Sequence, residues 1–202
     1  MTAPVPGSAG YDTHASLLAQ RYEALRFEDV HRHVLHLIPP QPCMAADIGA
    51  GSGRDAAALA ARGHTVVAVE PTAALRAEGQ RLHAGMPIEW TDDSLPALNR
   101  LREAARRFDL MLLSAVWMHL DEGERAEGMA SLAELLAPGG VAILSLRHGP
   151  VPEGRRMFDV SAEETLVLGG RHGLQPCHRG TRQDMMGRPD VHWSLVGLRK
   201  PQ

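Results

Sequence analysis

A run of alternate glycines is the feature of this sequence that points most directly to chemistry. Residues 47–56 read DIGAGSGRDA: Asp47 precedes three glycines, Arg54 and Asp55 follow them, and the glycines are Gly49, Gly51 and Gly53. Glycines between a strand and a helix permit a tight turn and let backbone N–H groups approach a ligand. The dinucleotide fingerprint GxGxxG needs a third glycine where this sequence has Arg54, so that fingerprint fails.

Acidic residues recur where later strand-like runs end. Glu70 closes the second run, 17 residues beyond Gly53. A carboxylate there can accept both ribose hydroxyls, as in nucleotide-binding folds. Asp92 and Asp93 follow the third run, in WTDDSLPAL. Ligands of open α/β sheets bind beyond the carboxyl ends of the strands, which is where these acids are expected.

Alternating strand and helix patterns supply the elements that position these residues. Apolar residues at helical spacing predict two short helices within residues 13–38. Five strand–helix repeats then imply a parallel sheet with helices on both faces. The predicted strands are 44–50, 65–70, 87–91, 108–115 and 141–147; the predicted helices are 54–62, 72–83, 96–107 and 122–136, with a turn at APGG, and then 161–172. Two last runs, 174–183 and 191–200, lack a crossover helix and should form an antiparallel hairpin.

The spacing D-x-G-x-G-x-G resembles motif I of the class I S-adenosylmethionine (SAM) methyltransferases. Glu70, WTDDSLPAL, FDLMLLSAVWMHL and LLAPGGVAILSL resemble later motifs of that family in the same order, over about residues 44–150. The resemblance implies an α/β, Rossmann-like three-layer sandwich. Its seven-stranded sheet would be mostly parallel with an antiparallel last strand, under a short N-terminal helical cap. We expect one domain over 1–202, with cap helices in 1–38 and the core in 43–202.

The resemblance also implies the roles of residues around the cofactor, S-adenosyl-L-methionine, and its product S-adenosyl-L-homocysteine (SAH). Asp47 would lie near the methionine amino group, the three glycines would wrap the methionine portion and the ribose, and Glu70 would hold the ribose. Asp92 or Asp93 would meet the adenine. Ser114 and Trp117 would pass beside the sulfonium. Arg54 either reaches the methionine carboxylate or, with Asp55, caps its helix and faces solvent.

Five residues are candidates for the acceptor side of the site. His119 follows the fourth strand, in the motif that many small-molecule methyltransferases end with His–Leu, and its ordinary pKa suits a general base; it could equally line the pocket. Arg147 and His148 follow the fifth strand, where Arg147 grips a substrate carboxylate or phosphate or forms a surface ion pair. Tyr11 and Tyr22 either cover the cofactor or pack in the core.

Composition excludes several classes of function. The net charge of −3, with scattered Lys and Arg, provides no footprint for nucleic acid, so a nucleic-acid substrate is disfavoured. The fourth-strand motif reads SAVWMHL, which differs from the [DN]PP[YFW] of adenine and glutamine amino-methyltransferases. No apolar run reaches the roughly 20 residues that a membrane span needs. The start resembles no signal peptide, and the two cysteines suggest no disulfide framework, so a cytoplasmic location is expected.

A metal site is not expected. The pattern HxHxxH at 31–36 places His33 and His36 near one helix face and His31 off it, and no cysteine accompanies them. Met185 and Met186 lie in a loop and line the pocket or serve no role.

Three functions are compatible with these residues. The first is a SAM-dependent methyltransferase that moves a methyl group to an O or N of a small molecule by in-line displacement. The second is a protein or RNA methyltransferase working with a partner, and the third is a SAM-binding protein without transferase activity. For the first, we expect a small-molecule acceptor and a monomer or homodimer.

Overall fold

One mixed sheet organises the computed structural model, which describes residues 5–8 and 10–202. Its strands run in the order β3-β2-β1-β4-β5-β7-β6. They are β1 (Met44–Ile48), β2 (Thr65–Val69), β3 (Ile88–Thr91), β4 (Phe108–Ser114), β5 (Leu136–His148), β6 (Gln175–Gln183) and β7 (His192–Arg199). The α-helices are α1 (Ala15–Glu23), α2 (Phe27–His31), α3 (Arg54–Ala61), α4 (Ala73–Leu82), α5 (Asn99–Glu103), α6 (Glu122–Leu135) and α7 (Ala162–Arg171).

The sheet carries a hydrophobic core on each face. Successive residues of one strand point to opposite faces, so Ala46 and Ile48 of β1 join one core while Ala45 joins the other. Burial on both faces explains why the central strands are continuously apolar rather than alternating. Helices α6 and α7 contribute to the core of Ala46, and α2 and α3 contribute to the core of Ala45.

Strand direction follows the sequence prediction. Strands β1 to β5 pair in parallel, and β7 is antiparallel to both β5 and β6. This confirms the Rossmann-like, mostly parallel seven-stranded fold. The chain leaves β1 toward β2 and β3, then returns to β4 on the other side. The carboxyl ends of β1 and β4 therefore form the switch point at which such sheets bind ligands.

Two predicted elements that follow β3 differ from the structure. The helix predicted over 96–107 is limited to Asn99–Glu103, because Leu98 has a left-handed backbone (φ 47°) that precedes the first helical turn. The turn predicted at APGG lies inside β5, where Gly139 (φ 79°) and a register shift opposite Phe108 make a bulge. The hydrogen-bonded ladder continues past the bulge, so Leu136–His148 is one strand.

The N-terminal helices pack against the glycine loop and its neighbours. Glu23, at the end of α1, accepts hydrogen bonds from Ser52 Oγ (2.7 Å) and His83 Nε2 (3.2 Å). The predicted second cap helix ends at His31 and continues as turns and a 3-10 segment, Leu35–Leu37. Residues 1–4 and 9 of the predicted cap lie outside the described residues. Within the described ranges, no helix has the length and apolarity to cross a membrane.

Candidate active site

The glycine loop joins β1 to α3 with a backbone that only glycine adopts easily. Gly49, Gly51 and Gly53 all have positive φ, at 73°, 58° and 84°. A Cβ on Gly53 would lie 2.7 Å from the ring of Trp90, and one on Gly51 would lie 3.5 Å from the ring of Tyr22. A Cβ on Gly49 would clash with Val116 Cγ2. Bare backbone is thus required by strain at all three positions and by a steric clash at Gly49 and Gly53. The loop lines a cavity of about 460 Å³, within the range of small-molecule sites.

Asp47 is a buried acid at the carboxyl end of β1 and lines this cavity. One oxygen, Oδ2, accepts the amide of Ala56 at 3.0 Å, which leaves acceptor capacity on the carboxyl group. Burial, and then the nearby charge of Asp55, raise the pKa of Asp47 well above its usual range. A cation bound here would offset the cost of burying the ionised carboxylate and lower its pKa, so the site suits an ammonium group.

Glu70 supports the glycine loop through hydrogen bonds to both oxygens of its carboxyl group. The amide of Gly51 donates to Oε2 and the amide of Thr72 to Oε1, both at 2.8 Å. Burial raises the pKa of Glu70, although these two backbone hydrogen bonds oppose the shift. A carboxylate offers about four acceptor positions. The side chain of Thr72 also hydrogen-bonds to Glu70, and the carboxyl group lines the cavity, where it can accept hydroxyl groups of a ligand.

The structure separates the two adjacent acids that follow β3. Asp93 lines the cavity and accepts the amides of Ser94 (2.9 Å) and Leu101 (3.1 Å). Asp92 points elsewhere: its Oδ2 lies 3.3 Å from Arg76 Nη2, and it is absent from the cavity wall among the described residues. Of the two acids, Asp93 is thus the one that lines the cavity among the described residues.

Asp55 is the centre of a buried network beneath the glycine loop. It accepts Arg54 Nε at 2.6 Å, His31 Nε2 at 2.8 Å and Ser114 Oγ at 2.7 Å. Burial alone would raise the pKa of Asp55, but His31 and Arg54 outweigh it and hold that pKa well below its usual range. The interpretation that Asp55 faces solvent is wrong, because its side chain is 4% exposed. Arg54 lines the cavity beside it.

No local pattern in the sequence indicates that His31 belongs to this network. Helical spacing sets it apart from His33 and His36, and the contact joins residues 24 positions apart. It is buried, and its ring packs on Phe27 at 4.6 Å between centroids. His31 therefore ties the N-terminal cap to the first turn of α3, directly after the glycine loop. Among the described residues, no group of three His, Cys, Asp or Glu side chains suits a metal ion.

His119 and Tyr11 form a hydrogen-bonded pair in the cavity wall. The Nδ1 of His119 lies 2.7 Å from the carbonyl oxygen of Arg156, so Nδ1 carries the proton and donates it. Its Nε2 is then an acceptor, 3.1 Å from the hydroxyl of Tyr11. Burial lowers the pKa of His119, and the charges of Arg155 and Arg156 lower it further against the raising effect of the carbonyl. The imidazole is consequently neutral at pH 7.

Some of the remaining candidate residues line the cavity, and others lie outside its wall. Tyr11, Tyr22, Ser114 and Arg147 line the cavity, and so do Met185 and Met186. Trp117 is fully buried and packs against Gly128 of α6, while its neighbours Val116 and Met118 face the cavity. His148 hydrogen-bonds to Ser194 Oγ (2.8 Å) and stacks on His192 (4.7 Å), outside the cavity wall.

The hairpin β6–β7 contributes wall residues that the sequence analysis missed. Arg182, Asp184 and Arg188 come from β6 and its loop, and Trp193 comes from β7. The hairpin itself was predictable. Its position beside the carboxyl end of β5 depends on long-range strand order, which no local pattern contains.

Comparisons with known proteins agree with this geometry. Residues 45–140 match the family model described as a methyltransferase domain. No curated protein sequence matches the chain. Many solved structures do, including the magnesium protoporphyrin IX methyltransferase of Synechocystis PCC 6803 with bound SAM, at a TM-score of 0.72 and 16% identity, covering 99% of this chain and 100% of that one.

Two further structures are similar over most of the chain. The 1,6-didemethyltoxoflavin-N1-methyltransferase of Burkholderia thailandensis, with bound 1,6-didemethyltoxoflavin and S-adenosylhomocysteine, has a TM-score of 0.64 at 19% identity and covers 100% of this chain and 94% of that one. A TehB-like SAM-dependent methyltransferase of Corynebacterium glutamicum has a TM-score of 0.66 at 19% identity, covering 94% and 99%.

Proposed function

We propose that this chain, a class I S-adenosylmethionine-dependent methyltransferase, moves the methyl group to an oxygen or nitrogen of a small molecule by in-line displacement. The observation that carries the proposal is a single cavity that joins the acids of the cofactor side to the His119–Tyr11 pair. Its volume of about 460 Å³ and its many-sided wall favour a small acceptor over a macromolecule.

The described residues fit the cofactor at several points. The glycine loop supplies bare backbone, Asp47 supplies a buried acceptor for an ammonium group, and the carboxyl group of Glu70 supplies an acceptor for a ribose diol. Asp93 lies in the same wall for the adenine. When bound, SAM supplies a methyl group already activated on a sulfonium, and SAH is the product.

With the donor already activated, the work left to the chain is alignment, exclusion of water and removal of a proton. The Nε2 of His119 is unprotonated and faces the cavity, so it can accept a proton from an acceptor hydroxyl or amine. Tyr11 hydrogen-bonds to the same atom and holds the ring in place until the acceptor replaces it. The centre of the Tyr11 ring lies 3.5 Å from the guanidinium carbon of Arg155, and this stacked pair closes one side of the cavity.

Names of the similar structures support a small acceptor without identifying it. They refer to methylation of 1,6-didemethyltoxoflavin, of magnesium protoporphyrin IX and of a glycopeptide, which are three different kinds of molecule. The fold is thus compatible with different acceptors, and the acceptor of this chain must be inferred from the residues that line its own cavity.

The test combines binding and turnover. Calorimetric titration with SAM and with SAH should give micromolar dissociation constants, and SAH formation should then be measured over a panel of small hydroxyl and amine compounds. Turnover of at least one small compound, reduced in His119→Gln with unchanged SAH affinity, is the expected result. Binding without turnover of any compound would favour a SAM-binding protein, and turnover only on protein or RNA would favour the macromolecular alternative.

A further inference from the structure

Two arginines and a tryptophan form a row across three neighbouring strands. Arg147 of β5 pairs with Trp193 of β7, which pairs in turn with Arg182 of β6. Directly paired residues point to the same face of a sheet, so the three side chains stand side by side. All three line the cavity, and the guanidinium carbon of Arg182 lies 4.6 Å from the centre of the Trp193 ring. We call this group the arginine row.

Both arginines of the row have a buried N–H group without a protein partner. The Nε atoms of Arg147 and Arg182 are buried and make no hydrogen bond within the described part of the chain. Their terminal nitrogens make long contacts, 3.3 Å from Arg147 to the carbonyl of Gly149 and 3.4 Å from Arg182 to that of Gln183. A buried guanidinium N–H costs free energy when it has no hydrogen-bond partner. The Nε–H of each arginine is therefore available to donate to an acceptor on a ligand.

The nearest acid cannot serve them, since it is already saturated. Asp184 accepts the amides of Met186 (2.9 Å) and Arg188 (3.1 Å), two side-chain nitrogens of Arg188 (3.0 and 2.6 Å) and the indole N–H of Trp193 (3.1 Å). Five hydrogen bonds exceed the roughly four lone-pair positions of a carboxylate. Within residues 5–8 and 10–202, neither Arg147 nor Arg182 has a carboxylate at ion-pair distance.

Positive charge accumulates around the row. Burial, followed by repulsion from Arg54 and Arg188 against the attraction of Asp184, lowers the pKa of Arg182 to about 10. Burial and Arg188 lower the pKa of Arg147 in the same way. Both guanidinium groups stay charged at pH 7, but their charges are destabilised. A bound anion would relieve both the repulsion and the desolvation.

We infer that the methyl acceptor carries an oxyanion, a carboxylate or a phosphate, that Arg147 and Arg182 bind through their unpartnered N–H edges. Guanidinium groups pair with such oxyanions through two parallel hydrogen bonds. Trp193, Met185 and Met186 provide an apolar surface beside the row, suited to a ring or hydrocarbon portion of the same molecule. The inference rests on the proposed function, because it assigns the acceptor class of that same cavity.

The test uses matched pairs of small probes on the full chain saturated with SAH. Benzoate is compared with benzamide, and phenyl phosphate with phenol, by calorimetry at constant ionic strength and pH 7. We expect the anionic member of at least one pair to bind at least tenfold more tightly than its neutral partner. Preference for benzoate alone identifies a carboxylate acceptor, and preference for phenyl phosphate alone identifies a phosphate.

Single variants then assign the effect to the row. Arg147→Gln and Arg182→Gln should each weaken the preferred anion by about tenfold to hundredfold, the loss expected for charge-assisted hydrogen bonds. Arg171→Gln, at the exposed end of α7 and outside the cavity wall, is the matched control and should leave the affinity unchanged.

Affinity for SAH separates the possible failures. If SAH binds to all variants equally but no anion is preferred, or if the two variants bind anions like the wild type, the inference is overturned while the proposed function stands. If SAH itself does not bind to the wild-type chain, the proposed function fails, and the anion titrations on the free chain still test the row.

Discussion

Removal of Glu70 should weaken cofactor binding by about two orders of magnitude or more. The carboxylate accepts the amides of Gly51 and Thr72, one on each oxygen, and in the proposed complex each oxygen also accepts one ribose hydroxyl. Hydrogen bonds to charged groups contribute about 1.5–3 kcal/mol each. Glu70→Ala loses two of them, roughly 3–6 kcal/mol, which corresponds to at least a hundredfold rise in Kd.

Calorimetry with two ligands isolates the ribose contribution from damage to the loop. The wild type and Glu70→Ala are each titrated with SAH and with its 2′-deoxy analogue. If Glu70 binds the diol, the variant should lose much of the preference for SAH over the analogue, whereas loop damage alone weakens both ligands equally. A change in SAH affinity below about threefold would refute the reasoning.

The pH dependence of the same titration has a definite sign. Glu70 is the stronger acceptor when ionised, because protonation turns one of its oxygens into an O–H donor, and burial raises its pKa above the usual value for glutamate. SAH affinity in the wild type should therefore decrease as the pH falls through that raised pKa, at a higher pH than an ordinary glutamate would give. Glu70→Ala should lack this component.

Three further substitutions test other parts of the site. His119→Gln should lower kcat by about 10². It should also remove the acid limb of the profile of kcat/KM against pH, which in the wild type falls as the pH drops through a pKa below the ordinary histidine value. An unchanged profile would mean that His119 only lines the cavity. Gly53→Ala combines a positive φ with a clash at Trp90 and should cost about 1–3 kcal/mol in urea unfolding, whereas Gly85→Ala, with no atom near its Cβ, should be neutral. Asp55→Asn leaves Arg54 and His31 without their anion and should cost about 3–5 kcal/mol at pH 7. Because the pKa of Asp55 is depressed by folding, that difference should shrink as pH falls below about 4; a pH-independent difference would contradict the ion pair.

Sequence patterns predicted the sheet and its acidic edge because both depend on local signals. Apolar runs mark buried parallel strands, and a residue that ends such a strand must lie at the carboxyl edge of the sheet. Asp47, Glu70 and Ser114 line the cavity for that reason. Helix ends were less predictable: Leu98 adopts a left-handed backbone that its side chain does not favour, and nothing in the local pattern indicates it.

The missed residues depend on turns or on contacts between distant elements. Trp117 begins a 3-10 turn that directs it into the core and its neighbours Val116 and Met118 toward the cavity. His31 reaches Asp55 from the cap, and Arg182 reaches the cavity because β7 inserts between β5 and β6. Each of these positions follows from tertiary packing, which overrides the local pattern.

Acidic and basic side chains lie on opposite sides of the cavity. Asp47 and Glu70 stand at the ends of β1 and β2, while the arginine row stands across β5, β7 and β6. Methyl transfer from a sulfonium disperses positive charge, so an acid beside the reacting atoms would stabilise the ground state more than the transition state. The residues that directly follow β4, Ala115 and Val116, are uncharged and line the cavity, while Asp47 and Glu70 lie at the ends of other strands. Charged groups on either side can thus orient a cationic donor and an anionic acceptor. The weakly polar wall between them does not stabilise the cationic ground state, so the rate enhancement comes from alignment and proton removal.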